Sequence, residues 1–103
     1  MINVISNTFK KEVIQSDKPV VVDFWETWCG PCKMLTPILT DISKELVGVK
    51  FVKVNVDENI GIASQYHITS VPTILIFKGG EVVDKFTGFK PKEQIISFIK
   101  KQL

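Results

Sequence analysis

Two cysteines three positions apart are the residues of this 103-residue chain best suited to chemistry. They stand in the segment Trp28-Cys29-Gly30-Pro31-Cys32, at the predicted junction between a β-strand and the helix that follows it. The N-terminus of a helix favours an anion, so this placement favours the thiolate of Cys29, which is the nucleophilic form. Cys32 lies one helical turn further on, within reach of the Cys29 sulfur. This spacing predicts dithiol–disulfide exchange in which Cys29 attacks and Cys32 resolves the mixed disulfide.

Three other interpretations of the cysteine pair have less support in the sequence. A structural disulfide that closes so small a loop stabilises a fold by only about 2 kcal/mol. A zinc site needs four ligands, but besides these two cysteines the chain has no further cysteine and only one histidine, His67. Two unreactive cysteines in the core would not require a Gly-Pro turn between them, so the turn argues against that interpretation. We therefore expect redox chemistry and no metal, and on the sequence alone the three alternatives stay open.

Strand and helix patterns alternate along the chain and determine where the pair lies. Pro19–Trp25 is a β-branched run that is apolar on both faces, as in a central parallel strand. Pro31–Val47 carries its apolar residues on one helical face, and Gly79-Gly80 predicts a hairpin turn. The order β-α-β-α-β-α-β-β-α predicts an α/β fold, a three-layer α/β/α sandwich with a mixed central sheet, formed by residues 1–103 as one domain. The other predicted strands are Ile2–Ile5, Val49–Asp57, Pro72–Lys78 and Glu81–Phe86. The other predicted helices are one that Asn7 or Thr8 caps, a short one around Asn59–Tyr66 and a last one that Lys90-Pro91 opens.

Composition excludes several classes of function. The net charge is +2, and all 13 basic residues are lysines, so the arginine forks that read bases and phosphates are missing. No glycine-rich phosphate loop is present, and no apolar run is long enough to span a membrane. The first twenty residues lack the pattern of a secretory signal. We therefore expect a cytoplasmic protein that binds neither nucleic acid nor membranes.

The motif Trp28-Cys29-Gly30-Pro31-Cys32-Lys33, preceded by the strand VVVDFW, resembles the thioredoxin family. The resemblance covers almost the whole chain and includes Asp23, Pro37, Lys53, Val71-Pro72-Thr73, the hairpin Phe77–Glu81 and Gly88. It implies the thioredoxin fold and a protein-disulfide reductase that works through Cys29 and Cys32.

Two charged residues complete the catalytic set that the resemblance implies. Asp23 stands in an apolar strand, and burial should raise the pKa of its carboxyl, which suits proton exchange near neutral pH. By resemblance, Asp23 acts as general acid and base toward Cys32. Lys53 faces inward on the next strand by period-2 counting, and we expect it to pair with Asp23. The alternatives are an Asp23 in water at a strand end and a solvated Lys53.

The resemblance also implies a groove that binds an extended segment of the substrate beside Cys29. The Val71-Pro72 bond matches the family's cis-proline peptide, and the Val71 backbone would pair with the substrate chain. A trans-proline that opens a strand and a plain turn glycine at position 88 are the alternatives. The expected groove residues are Trp28, Gly30, Pro31, Val71, Pro72, Thr73 and Gly88.

The partners implied by the resemblance are proteins, and no cofactor is expected on the chain itself. A flavin- and NADPH-dependent thioredoxin reductase would regenerate the dithiol. Clients would include ribonucleotide, peroxide and methionine-sulfoxide reductases, and we expect a monomer. Two rivals remain: an oxidant or isomerase on the same fold, against which Pro31 argues, and a binding module that grips a partner whatever its redox state.

The chain departs from the family pattern at a few positions. Glu26-Thr27 replaces the expected small-then-acidic pair, and a carboxylate this close to Cys29 hinders thiolate formation if it faces the sulfur. Ser70 stands where glycine often precedes the Val-Pro step, which alters groove contacts. His67 is isolated, and we expect it at the surface or half-buried.

Overall fold

The computed structural model describes residues 1–103 and contains one five-stranded sheet. In chain order its elements are β1 (Ile2–Asn3), α1 (Ser6–Phe9) continued by a π-helical turn (Lys10–Ile14), β2 (Val20–Trp25), α2 (Gly30–Glu45), β3 (Lys50–Asn55), α3 (Ile60–Gln65), β4 (Thr73–Lys78), β5 (Glu81–Thr87) and α4 (Lys92–Lys100). The strands lie in the order β1-β3-β2-β4-β5. The first three are parallel, and β4 runs antiparallel to both of its neighbours. None of the helices combines the length and the apolar character needed to cross a membrane.

The central strand β2 divides the core into two halves. Successive side chains of a strand point to opposite faces, so Val20, Val22 and Phe24 pack toward α1 and α3. Val21 packs on the other face, among side chains of α2 and α4. Both faces are therefore covered by helices, and the predicted three-layer sandwich with a mixed sheet is confirmed. The alternation also places Asp23 on the face that α2 covers.

The first helix begins earlier than predicted. Neither Asn7 nor Thr8 is its N-cap, because the helix starts at Ser6, directly after the extended residue Ile5. The Thr8 hydroxyl instead accepts a hydrogen bond from the Ile5 N–H at 3.2 Å. The Ser6 N–H donates to Oδ1 of Asn59 at 2.8 Å, so a distant side chain satisfies this helix end.

The remaining elements shift by one or two residues at their ends. The long helix α2 ends at Glu45, before Gly48, with the Leu46 N–H donating to the carbonyl of Ile42. The hairpin between β4 and β5 forms as predicted. Gly79 and Gly80 take φ of +59° and +83° in its turn, a region that only glycine enters without strain.

Candidate active site

The cysteine pair lies at the junction of β2 and α2, as the sequence predicts. Cys29 is the N-cap of α2, and its sulfur accepts a hydrogen bond from the Cys32 N–H at 3.1 Å. The two residues form a disulfide with their Cα atoms 5.2 Å apart. Cys29 is 7% exposed and Cys32 is 2% exposed, so the residue at the helix end is the less deeply buried of the two. Backbone N–H groups at a helix N-terminus stabilise an anion, which favours the Cys29 thiolate once the disulfide is reduced.

Three exposed residues surround the pair. Trp28 is 89% exposed, so a large apolar surface borders the disulfide. Gly30 and Pro31 form the first turn of α2 and are also exposed. Proline fits this turn because its missing N–H would have no partner inside the helix. The structure thus places these three predicted groove residues on an open face beside Cys29.

Asp23 is the one buried carboxylate in this region. It has no exposed surface, and neither of its carboxylate oxygens has a hydrogen-bond partner. Desolvation by burial raises the pKa of Asp23 from 3.8 to about 7, while the positive charge of Lys53 opposes part of that rise. The carboxyl group therefore exchanges its proton near neutral pH, as predicted from its place in an apolar strand.

Lys53 does not form the expected ion pair with Asp23. The two residues are direct neighbours in the register of β2 and β3. The chain has only two ion pairs, Lys50–Glu12 and Lys92–Glu45, and neither involves Lys53. Its ammonium lies over the ring of Trp25, 5.3 Å from the centroid, and the residue is half-buried. Lys53 thus acts on Asp23 through its field and not through a hydrogen bond.

The loop before β4 and the loop after β5 meet at the same edge of the sheet. Thr73 pairs with Phe24 of β2 on one side and with Thr87 of β5 on the other. The Val71-Pro72 bond is cis. The Gly88 N–H donates to the carbonyl of Pro72 at 2.9 Å, and Gly88 takes φ of +81°.

The predicted groove residues of these loops therefore lie together at the carboxyl end of β2. Thr73 is buried, and its hydroxyl donates to the carbonyl of Ser70 at 2.6 Å, which fixes the loop in front of the cis bond. Val71 is half-buried and Pro72 is buried. Their place at the strand end, next to the β2–α2 loop, is where α/β folds form binding sites.

Glu26 lines two cavities of the site, a position that the sequence did not predict. It lines a cavity of about 390 Å³ that also reaches Cys32, Trp25 and Lys53. It also lines a second cavity, of about 420 Å³, beside Val71. Periodicity cannot predict this position, because Glu26 follows the last residue of β2 and belongs to a loop. The only signal in the sequence was the departure of Glu26-Thr27 from the family pattern.

No group of three or more His, Cys, Asp or Glu side chains is arranged to hold a metal ion. His67 is exposed, as expected, and takes φ of +56° at the end of α3. It lines a separate cavity with Val56 and Ile68.

Comparison with known proteins agrees with this geometry. A family model described as Thioredoxin matches residues 1–101. A thioredoxin of Rickettsia felis is 55% identical over 102 residues, which cover 98% of this chain and 97% of that protein. Thioredoxin 1 of a Nostoc species is 50% identical over 101 residues, covering 97% of this chain and 94% of the relative. A thioredoxin of a Synechocystis species is 50% identical over 97 residues, which cover 93% of this chain and 91% of that protein.

Proposed function

The chain belongs to the thioredoxin family, and on that premise we propose which step each residue of its thiol–disulfide oxidoreductase site performs. The protein reduces protein disulfides by dithiol–disulfide exchange through Cys29 and Cys32. One observation carries the assignment of steps. The disulfide lies at the N-terminus of α2, and the less deeply buried of its two cysteines is the N-cap residue Cys29.

In the first step the Cys29 thiolate attacks one sulfur of the client disulfide. The client S–S bond breaks, a new S–S bond joins Cys29 to the client, and the departing client thiolate takes up a proton. The exposed ring of Trp28 and the backbone of Val71 hold the client segment beside Cys29. Gly88 forms the far wall of this groove through its hydrogen bond to Pro72.

In the second step Cys32 attacks the Cys29 sulfur. Cys32 first gives its proton to the Asp23 carboxylate, whose raised pKa of about 7 makes it an effective base at neutral pH. The new Cys29–Cys32 bond releases the second client thiolate, which is protonated. Two electrons have then passed from the protein dithiol to the client, and the protein is left in the disulfide form that the structure contains.

The partners of the family are a reductase and disulfide-containing client proteins. For this chain we propose a flavin- and NADPH-dependent thioredoxin reductase as the electron source. As clients we propose ribonucleotide, peroxide and methionine-sulfoxide reductases. Because a reductant must itself be kept reduced, we place the protein in the cytoplasm, and we propose that it acts as a monomer.

The order of attack is tested with single-cysteine variants. Reduced Cys32→Ser protein should form a stable mixed disulfide with a disulfide-bonded peptide, because the resolving thiol is missing. The adduct is measured by mass spectrometry after acid quenching and non-reducing separation. The matched control, Cys29→Ser, should form far less adduct, because its remaining thiol is the more deeply buried one. Recovery of only free Cys32→Ser protein, or equal trapping by both variants, would contradict the assignment.

A further inference from the structure

The client-binding residues Trp28, Val71 and Gly88 form what we call the docking edge. The second cavity, beside Val71, is a groove next to this edge, and its walls match a cationic side chain. We propose that it binds the lysine or arginine side chain of a client segment that flanks the client's disulfide, so that Glu26 sets a preference for basic clients. The inference rests on the proposed function, since it extends the same docking edge. The groove has a volume of about 420 Å³ and is lined by Glu26, Val56, Ile68, Thr69, Ser70 and Val71.

Glu26 is the only charged residue among those that line the groove. Its side chain is half-buried and takes part in no ion pair, since the chain's two ion pairs involve Glu12 and Glu45. Lys33 and Lys53 border the neighbouring cavity together with Glu26, but neither ammonium lies within 4.0 Å of its carboxylate. The carboxylate is therefore free to pair with a charge supplied by a partner.

The two lysines next to Glu26 are directed to aromatic rings. The Lys33 ammonium lies over the Trp28 ring at 5.9 Å, and the Lys53 ammonium lies over the Trp25 ring at 5.3 Å. Both ammonium groups thus contact aromatic rings and neither forms an ion pair with the Glu26 carboxylate. A client cation entering the groove thus meets a negative charge without a competing internal partner.

The remaining walls suit the stem of the same side chain. Val56 and Ile68 are half-buried and pack against the core, so they present a fixed apolar surface. Thr69 and Ser70 add exposed polar residues at the rim. Lysine and arginine combine an apolar stem with a charged head, which matches an apolar wall that ends in a carboxylate.

The groove is continuous with the docking edge through Val71, which belongs to both. A client segment that pairs with the Val71 backbone advances about 3.3 Å per residue and points alternate side chains to opposite sides. One client side chain near the cysteine then faces the groove. Only side chains an even number of residues away from that one point to the same side and can enter the groove. The preference for a basic residue should therefore depend on its position in the client sequence.

The test uses disulfide-linked peptides that differ at a single position. Lysine, norleucine or glutamate is placed in turn at each of the positions flanking the cysteine, and pre-reduced protein is mixed with each peptide in a single turnover. The second-order rate constant is followed by tryptophan fluorescence. At low salt we expect the rate constant of the lysine peptide to exceed that of the glutamate peptide about fivefold, a size typical of exposed ion pairs. This preference should appear at a single flanking position, or only at positions separated by an even number of residues. At about 1 M salt, where the Debye length is about 3 Å, the ratio should approach one.

Variants of Glu26 separate the groove from the thiol chemistry. Glu26→Gln should bring the lysine-to-glutamate ratio to about one, and Glu26→Lys should invert it. The ratio is the readout because any change in Cys29 reactivity affects all peptides alike and cancels. Glu81→Gln makes the same charge change in the hairpin, at the far end of the sheet, and should leave the ratio as in the unmodified protein.

Two results overturn the proposal in different ways. Reduction of all peptides at equal rates, or an unchanged ratio in Glu26→Gln, would overturn the groove assignment and leave the reductase function intact. Failure to reduce any peptide, including the norleucine series, would overturn the proposed function and the groove with it.

Discussion

Asp23 is the buried carboxylate of the site. Replacing it by asparagine should change the free energy of unfolding, relative to the unmodified protein, more favourably at alkaline pH than at acidic pH. Asp23 is fully buried, and its oxygens have no hydrogen-bond partner, so its charge is costly in the folded state. Because burial raises its pKa to about 7, the folded protein holds this proton more tightly than the unfolded chain does. The contribution of Asp23 to the free energy of unfolding is therefore highest below pH 3.8 and falls as the pH rises toward about 7.

The size of the effect follows from the two pKa values. They are 3.8 and about 7, and 1.36 kcal/mol per pKa unit gives a full loss of about 4 kcal/mol. Between pH 5 and about 7 the loss accumulates over two pH units, which amounts to about 2.7 kcal/mol. The asparagine variant has no such charge, so its advantage over the unmodified protein should grow by about that amount between pH 5 and pH 8.5.

Urea unfolding of the oxidised protein at these two pH values measures the difference. In the oxidised form the cysteines do not titrate, and other ionisable groups contribute equally to both proteins. The cost of burying an unpaired amide is the same at both pH values, so it cancels from the pH difference. The matched control is Asp17→Asn, which removes an exposed carboxylate. Its free energy of unfolding should differ from that of the unmodified protein by the same amount at both pH values. If the advantage of Asp23→Asn changes by less than about 0.5 kcal/mol between the two pH values, the Asp23 charge is not desolvated and burial does not raise its pKa.

Three further predictions concern catalysis and backbone conformation. Asp23→Asn should slow the release of the second client thiol and remove its rise in rate near pH 7, measured by stopped-flow; an unchanged pH profile would contradict the role in proton transfer. His67→Gly should raise the free energy of unfolding by up to about 1 kcal/mol, because φ is +56°; a lower urea midpoint would contradict this. Gly88→Ala should lower the free energy of unfolding by about 1–2 kcal/mol because φ is +81°, although a Cβ there meets no atom within 4 Å. Gly48 has no positive φ, so Gly48→Ala should not lower the free energy of unfolding in this way. Equal losses in the two glycine variants would contradict the role of the backbone conformation.

The elements that position the cysteines were predictable because their patterns are local. β2 is a β-branched run that is apolar on both faces, and α2 has a single apolar face, so periodicity alone places Cys29 between them. The burial of Asp23 followed from the same apolar strand. These features depend on chain neighbours and on the general rules of packing, and the structure agrees with them.

Other features depend on contacts between distant segments. The Ser6 N–H at the start of α1 donates to Oδ1 of Asn59, and no local signal indicates a partner so far along the chain. The Lys53 ammonium lies over the ring of Trp25 and not within ion-pair distance of the Asp23 carboxylate, which period-2 counting does not predict. The direction of Glu26 depends on the loop after β2, where periodicity ends. The sequence therefore predicted which residue types meet at the site but not all of the pairs that they form.

The reduction potential of the Cys29–Cys32 pair tests the assignment as a protein-disulfide reductase most directly. The protein is equilibrated in glutathione buffers of defined ratio, and the fluorescence of Trp28 and Trp25 reports the fraction of disulfide. A protein-disulfide reductase should have a potential more negative than about −220 mV, at or below the cytosolic glutathione poise. A potential near about −180 mV would rule out this assignment and would identify an isomerase or oxidant on this fold.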